Sequence, residues 1–266
     1  GLFNLNPGYP YLLALLGKIM EIKYFSVFAL QHIIGAIILV FQYIFCEKIF
    51  DKRTALCTAL LASAYGPSFF YESRFLGEFW IFVFNTLALG FLVLAVKSHP
   101  KTFWGLSGLS IGLSVLFRPN VLAFLPAIIL WGFWTLRGSR RLLLSCLGVF
   151  ALGVWLPILP FQIRNRVLDP THGISLTTSS GGVNFYLGNN PEADGLNRAP
   201  SFIRYGPGHQ YEDFKEEAQR RLGRDLNLRE VSKYWTQQSL RWMQKYPKAA
   251  WRLFWRKAGF FWKYQV

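Results

Sequence analysis

Glu78 opens an apolar run in "YESRFLGEFW", with Arg74 four residues before it and Glu72 close by. A carboxylate beside a guanidinium is what activation of a hydroxyl next to a phosphate needs. The carboxylate takes the proton, and the planar guanidinium fork grips phosphate oxygens. Taken alone, Glu78 is better explained without chemistry, as an acid at a helix N-terminus favoured by the macrodipole and paired with Arg74. Arg118 stands in "LFRPN" between two apolar runs, where the chain must turn. Gripping a lipid phosphate and snorkelling to head groups account for it equally. A third stretch is "GGVNFYLGNNPEADG", from Gly181 to Gly195. Gly181, Gly182 and Gly188 permit left-handed turns, Asn184, Asn189 and Asn190 offer amide donors and acceptors, and Phe185 and Tyr186 give faces on which sugar rings stack. An Asx-rich turn explains this stretch as well, so by itself it points only to polar ligand binding.

Other chemistries find little support. His32 lies inside an apolar run, where a histidine more often hydrogen-bonds a neighbouring helix than ligates a metal. His99, His172 and His209 have no ligand spacing with cysteine or carboxylates, so no metal site is expected. No GxxxxGK[ST] loop is present, which argues against nucleotide hydrolysis. Cys46, Cys57 and Cys146 sit in or beside apolar segments and read as packing residues. The net charge of +15 is spread along the chain, without a dense basic run carrying a nucleic-acid motif. Anionic lipid head groups and phosphate-bearing substrates suit such a chain better than nucleic acid.

The elements that must position these residues are membrane helices. The 266 residues are 52% hydrophobic and 18% aromatic, above the norm for soluble domains. Spans of about 20 apolar residues are expected near Phe25–Phe45, Ala55–Phe70, Glu78–Val96, Trp104–Phe117, Val121–Trp134 and Leu142–Phe161. "YPYLLALLGKIM" is too short to span and reads as a surface helix over about 9–22. Lys48, Lys52, Arg53, Lys97, Lys101, Arg137, Arg140 and Arg141 fall in one set of alternate loops, which the positive-inside rule makes cytoplasmic. The 71–77 loop, the Arg118 turn and everything after Phe161 are then expected outside. The three cysteines fall near the cytoplasmic ends, where the reducing face argues against disulfides.

From Gln162 the hydropathy falls, and Pro, Gly and Asn mark loops to about Gly208. Helical patterns follow in "YEDFKEEAQRRLGRDL" and "LREVSKYWTQQSLRWMQKY", which Pro247 interrupts. The closing "KAAWRLFWRKAGFFWKYQV" mixes Trp and Phe with Arg and Lys at helical spacing, as a stretch at the interface or leading into a further span does. The fold class is therefore all-α, a polytopic α-helical membrane protein with a mainly helical external C-terminal segment. The expected division is 1–161 in the membrane and 162–266 outside.

Read in order, "NPGYPYLLALL", "FDKRTALCTALLASAYGPSFFYESRFLGEFW", "GLSIGLSVLFRPNVLAFLPAIILW" and "RNRVLDPTHGISLTTSSGGVNFYLGNNPEADG" resemble the bacterial GT-C glycosyltransferases related to protein O-mannosyltransferases and aminoarabinose transferases. Each motif is degenerate; order and spacing carry the likeness. The resemblance implies a polyprenyl-phosphate-linked sugar as donor, membrane lipids around it, and a protein, lipid or polysaccharide acceptor on the external or periplasmic face of a bacterial inner membrane. It implies an inverting displacement, with a carboxylate assisting the acceptor and basic residues steadying the departing phosphate. By position, Glu78 matches the acidic residue after the family's third span, and Arg118 and Arg164 are phosphate candidates, with Arg74 beside them. Pro7, Tyr9 and Pro10 match the family's Pro/Tyr motif. Asn184, Tyr186, Gly188, Asn189 and Asn190 fall in the external loop taken to line the sugar cavity. No cofactor is implied. The family's principal catalytic acid precedes the Pro/Tyr motif, and "GLFNLN" holds no carboxylate. The chain is therefore expected to be a fragment, inactive alone. The competing expectation is a non-catalytic polyprenyl-sugar carrier, flippase or assembly subunit.

Overall fold

The computed structural model describes residues 6–97, 100–168, 180–196, 198–204 and 209–262. His99 and His172 lie outside them, as does most of the "GLFNLN" stretch. Every regular element among the described residues is helical. Two compact units emerge, one spanning Asn6–Arg164 and the other lying within Asn165–Val266.

The first unit begins with α1 (Gly8–Leu16), which stops at Gly17 instead of running to residue 22. Glycine's low helix propensity ends it there. Next come α2 (Tyr24–Ile49), α3 (Lys52–Ser63) and α4 (Gly66–Glu72). The apolar stretch 55–70, read from hydropathy as one span, is thus two short helices. Pro67 is the reason, because it has no N–H to continue the hydrogen bonds of α3 and its ring would clash with the preceding turn. Tyr65 is extended, and Pro67 starts the new helix instead of continuing the old one. Asp51 caps α3 by accepting from the Thr54 N–H at 2.9 Å.

The bundle continues with α5 (Glu78–Lys97), α6 (Pro100–Phe117), a 3-10 turn (Pro119–Phe124), α7 (Leu125–Thr135) and α8 (Arg140–Leu168). Among the described residues three helices, Tyr24–Ile49, Glu78–Val96 and Arg140–Leu168, are long and apolar enough to cross a membrane. Lys101–Phe117 and Pro119–Thr135 are shorter apolar helices. Exposed Ile33, Ile37 and Val40 on α2 and Leu144, Leu152 and Leu156 on α8 present side chains suited to lipid. Inside, Phe79, Val83, Ile111, Val115, Phe150 and Ile158 form one core.

The α6–α8 contact is backbone on backbone. A Cβ at Gly108 would lie 2.1 Å from the Phe150 carbonyl oxygen, and one at Gly153 would lie 2.5 Å from that of Gly105. Small residues permit this approach, which gains dispersion where lipid supplies no hydrophobic drive between helices.

The second unit contains α9 (Gly181–Gly188), α10 (Gln210–Leu222), α11 (Leu228–Lys245) and α12 (Pro247–Trp262). The last three follow the expected breaks: Gly223 ends α10 in a left-handed cap, and Asn227 with Glu230 forms a capping box on α11. The glycine-rich stretch, expected as loop, is helical. Its Gly182 lets α9 touch α11, since a Cβ there would fall 1.8 Å from the Ser232 carbonyl oxygen, while the Gly182 N–H donates to Ser232 Oγ at 2.9 Å. Burial of Val183 and Tyr186 against α11 stabilises a helix too short to stand alone. The core here is aromatic: Tyr186, Phe202 and Phe214 surround Trp235, whose indole N–H donates to the Phe214 carbonyl at 2.9 Å.

Candidate active site

Arg118 is the residue after α6, extended, its N–H still donating to the Ser114 carbonyl at 2.9 Å. Its guanidinium Nη2 lies 3.2 Å from Oε1 of Glu78, the first residue of α5. Glu78 therefore pairs with Arg118 and not, as local spacing predicts, with Arg74. The Arg74 guanidinium lies 5.0 Å over the Phe70 ring instead. Phe117 brings the pair together. Its ring wedges between Gly8 of α1 and Gly77 before α5, where added Cβ atoms would lie 2.8 and 3.1 Å from it. Buried Phe117 thus fixes the end of α6 against the start of α5, leaving Arg118 at the carboxylate.

Beneath the turn that launches Glu78 lies a polar hub. Gln31, fully buried on α2, donates from Nε2 to the carbonyls of Glu72 (2.7 Å) and Arg74 (3.2 Å). Its Oε1 accepts from the Tyr9 hydroxyl at 3.1 Å and from the Trp80 indole at 3.3 Å. Every hydrogen-bonding position of the amide is used, so the hub ties α1, α2, the turn after α4 and the first turn of α5 into one frame. Burial pushes the Tyr9 hydroxyl up to about 12, so it stays a donor.

Beside the hub, the buried Glu72 carboxylate has Oε2 3.7 Å from His32 Nε2, while His32 Nδ1 is 2.8 Å from the Phe28 carbonyl of its own helix. His32 therefore meets the neighbouring α4 at Glu72 and at the Phe69 ring, whose centroid lies 6.5 Å from that of the imidazole. Burial pushes the Glu72 carboxyl up, partly offset by the imidazole. The sequence reading missed Gln31, although a carboxamide inside a 25–45 apolar run is a signal of the same kind as His32.

The Glu78–Arg118 pair is partly exposed, at 29% and 53% of the side chains. At that exposure an ion pair contributes only about 0–1 kcal/mol to stability. Both groups also remain open to a ligand: the carboxylate could accept a proton, and the guanidinium has further N–H donors for phosphate oxygens. Arg164 is half-buried near the C-terminal end of α8.

The residues expected to line a sugar cavity are used differently. Tyr186 is buried in the aromatic core, where burial pushes its hydroxyl up. Asn190, 1% exposed, donates to the carbonyls of Tyr186 and Leu187 and accepts from the Glu192 N–H, closing the end of α9. The Gly188 carbonyl and Asn189 Oδ1 accept from Lys257 Nζ of α12 at 2.6 and 3.2 Å. Asn184 and Phe185 are exposed. Among the described residues no group of three or more metal-ligating side chains converges.

The family model for dolichyl-phosphate-mannose-protein mannosyltransferases matches residues 5–162, which includes α1, the hub and the Glu78–Arg118 pair. No curated protein and no solved structure matches the chain.

Proposed function

The chain belongs to the dolichyl-phosphate-mannose-protein mannosyltransferase family, membrane glycosyltransferases of the GT-C type, and we propose that it transfers a sugar from a polyprenyl-phosphate donor, using the Glu78–Arg118 pair. The acceptor hydroxyl attacks the anomeric carbon and forms the new glycosidic bond. The bond from that carbon to the phosphate oxygen breaks, and the polyprenyl phosphate leaves with the electron pair. A carboxylate takes the hydroxyl proton, and Glu78 is the candidate this chain offers. Arg118 receives the charge gathering on the departing phosphate.

The observation that carries this reading is the meeting of Glu78 and Arg118 at 3.2 Å, half open to solvent, through a wedge that brings two helix ends together. When a donor phosphate competes for Arg118, the carboxylate is freed for the acceptor. An apolar pocket of about 630 Å³, lined by Leu89, Leu92, Ile111, Val121, Ile128 and Trp131, supports a lipid-linked donor. Val121, one of its lining residues, stands three residues beyond Arg118. Following the charge asymmetry of the loops, the pair faces the external side of a bacterial inner membrane. Arg164, half-buried near the end of α8, is a second candidate cation for the phosphate.

In the intact protein supplied with polyprenyl-phosphate sugars, Glu78→Gln is expected to lower kcat about 100-fold or more while donor binding persists. Unchanged turnover removes Glu78 from the mechanism. Donor binding with no transfer to any acceptor by the unmodified protein favours the carrier alternative.

A further inference from the structure

We propose that the outward face of α12 seats on the interface of a bilayer leaflet rich in anionic lipid. Trp251, Phe254, Trp255 and Trp262 are 54–84% exposed. At about 100° per residue they share an arc of roughly 100°. Lys248, Arg252 and Arg256, spaced four residues apart and all exposed, form a basic edge along that arc. The opposite face is anchored. Leu253 is buried, Phe260 packs on Gly195, and Lys257 Nζ is held by the Gly188 carbonyl and Asn189 Oδ1. The helix therefore cannot roll its aromatic stripe inward without breaking these contacts.

The chemistry of the face selects its occupant. Indole rings favour the head-group boundary, where one edge is wet and the other apolar. Cations beside such a stripe add attraction to anionic lipid. No acidic residue follows Glu230 in the sequence, so nothing within the helix offsets the three cations. The cations lie on a convex helix face and not in a cleft, which suits a sheet of head groups better than a free phosphate. This inference rests on α12 and on the membrane setting, and is independent of the role given to Glu78.

The test uses the intact protein in lipid nanodiscs, with Cys46, Cys57 and Cys146 replaced by serine and one spin label introduced through Trp255→Cys or Trp262→Cys. In discs with roughly a third phosphatidylglycerol, both labels are expected at the same shallow depth, near the boundary of head groups and acyl chains. Replacing Lys248, Arg252 and Arg256 by glutamine should lower the immersed-to-aqueous ratio about fivefold per charge, or about a hundredfold together. Discs of phosphatidylcholine alone should give a similar fall. Labels that stay aqueous, a label at 262 much deeper than one at 255, or spin–spin broadening between two copies would each overturn the proposal, the last two by making α12 the start of a span or a dimer contact.

Discussion

Replacing Gln31 by leucine keeps a side chain of similar length and strands the groups it serves. Two of them have nowhere else to turn: the Trp80 indole, on a residue 8% exposed, and the backbone carbonyl of Glu72, itself 8% exposed. Each stranded buried group costs about 1–3 kcal/mol, while measured couplings between membrane helices average nearer ~0.6 kcal/mol. The carbonyl of exposed Arg74 adds little, because water reaches it, and the half-buried Tyr9 hydroxyl adds less than the two buried groups. Gln31→Leu should therefore destabilise the protein by about 2–4 kcal/mol. Unfolding by SDS titration in mixed micelles measures this, and a cycle with Tyr9→Phe sharpens it. Tyr9→Phe should cost about 0.5–1.5 kcal/mol in the native background and almost nothing beside Gln31→Leu. The same substitution loosens the turn beneath Glu78, so kcat should fall more than KM for the donor changes. Additive effects of the two substitutions, or a cost below about 0.5 kcal/mol for Gln31→Leu, would refute the hub as the frame of the site.

Gly108→Ala should cost about 1–3 kcal/mol in the same titration, because its Cβ would lie 2.1 Å from a backbone oxygen that cannot swing aside. Gly148→Ala on α8, where a Cβ meets nothing within 4 Å, should be neutral or slightly stabilising. In the second unit, hydrogen bonds from Arg220 and Arg221 hold the Glu217 carboxyl at about 2, against an ordinary 4.5. A carboxyl lowered in the folded state stabilises it above pH 4.5, and that contribution is lost as pH falls from 4.5 towards about 2. Hydrogen exchange across 214–222, corrected for intrinsic rates, should show protection falling over that window, and falling less steeply in Glu217→Gln.

Much of the fold is local and was readable as such. Apolar runs long enough to span a bilayer gave α2, α5 and α8, because in lipid the backbone must satisfy itself within a helix. Asn227, Glu230, Gly223 and Pro247 set the bounds of α10, α11 and α12 through caps that act within one turn. Even the break at Tyr65 had its signal in Gly66–Pro67, which hydropathy averages away. The order of the motifs pointed to the family whose model matches residues 5–162.

What the tertiary structure decided is which of these residues meet. Sequence spacing offered Glu78 a partner four residues away, and packing gave it Arg118, forty residues on, because Phe117 fills the space left by Gly8 and Gly77. Sequence chemistry offered Tyr186 and Asn190 to a sugar, whereas the fold uses one in an aromatic core and the other to close a helix end. Helix propensity, capping and burial periodicity act over a few neighbouring residues, so a sequence displays them directly. The pairing of one helix end with another depends on side-chain volumes and backbone approach across the whole bundle, and these exist only once the chain has packed.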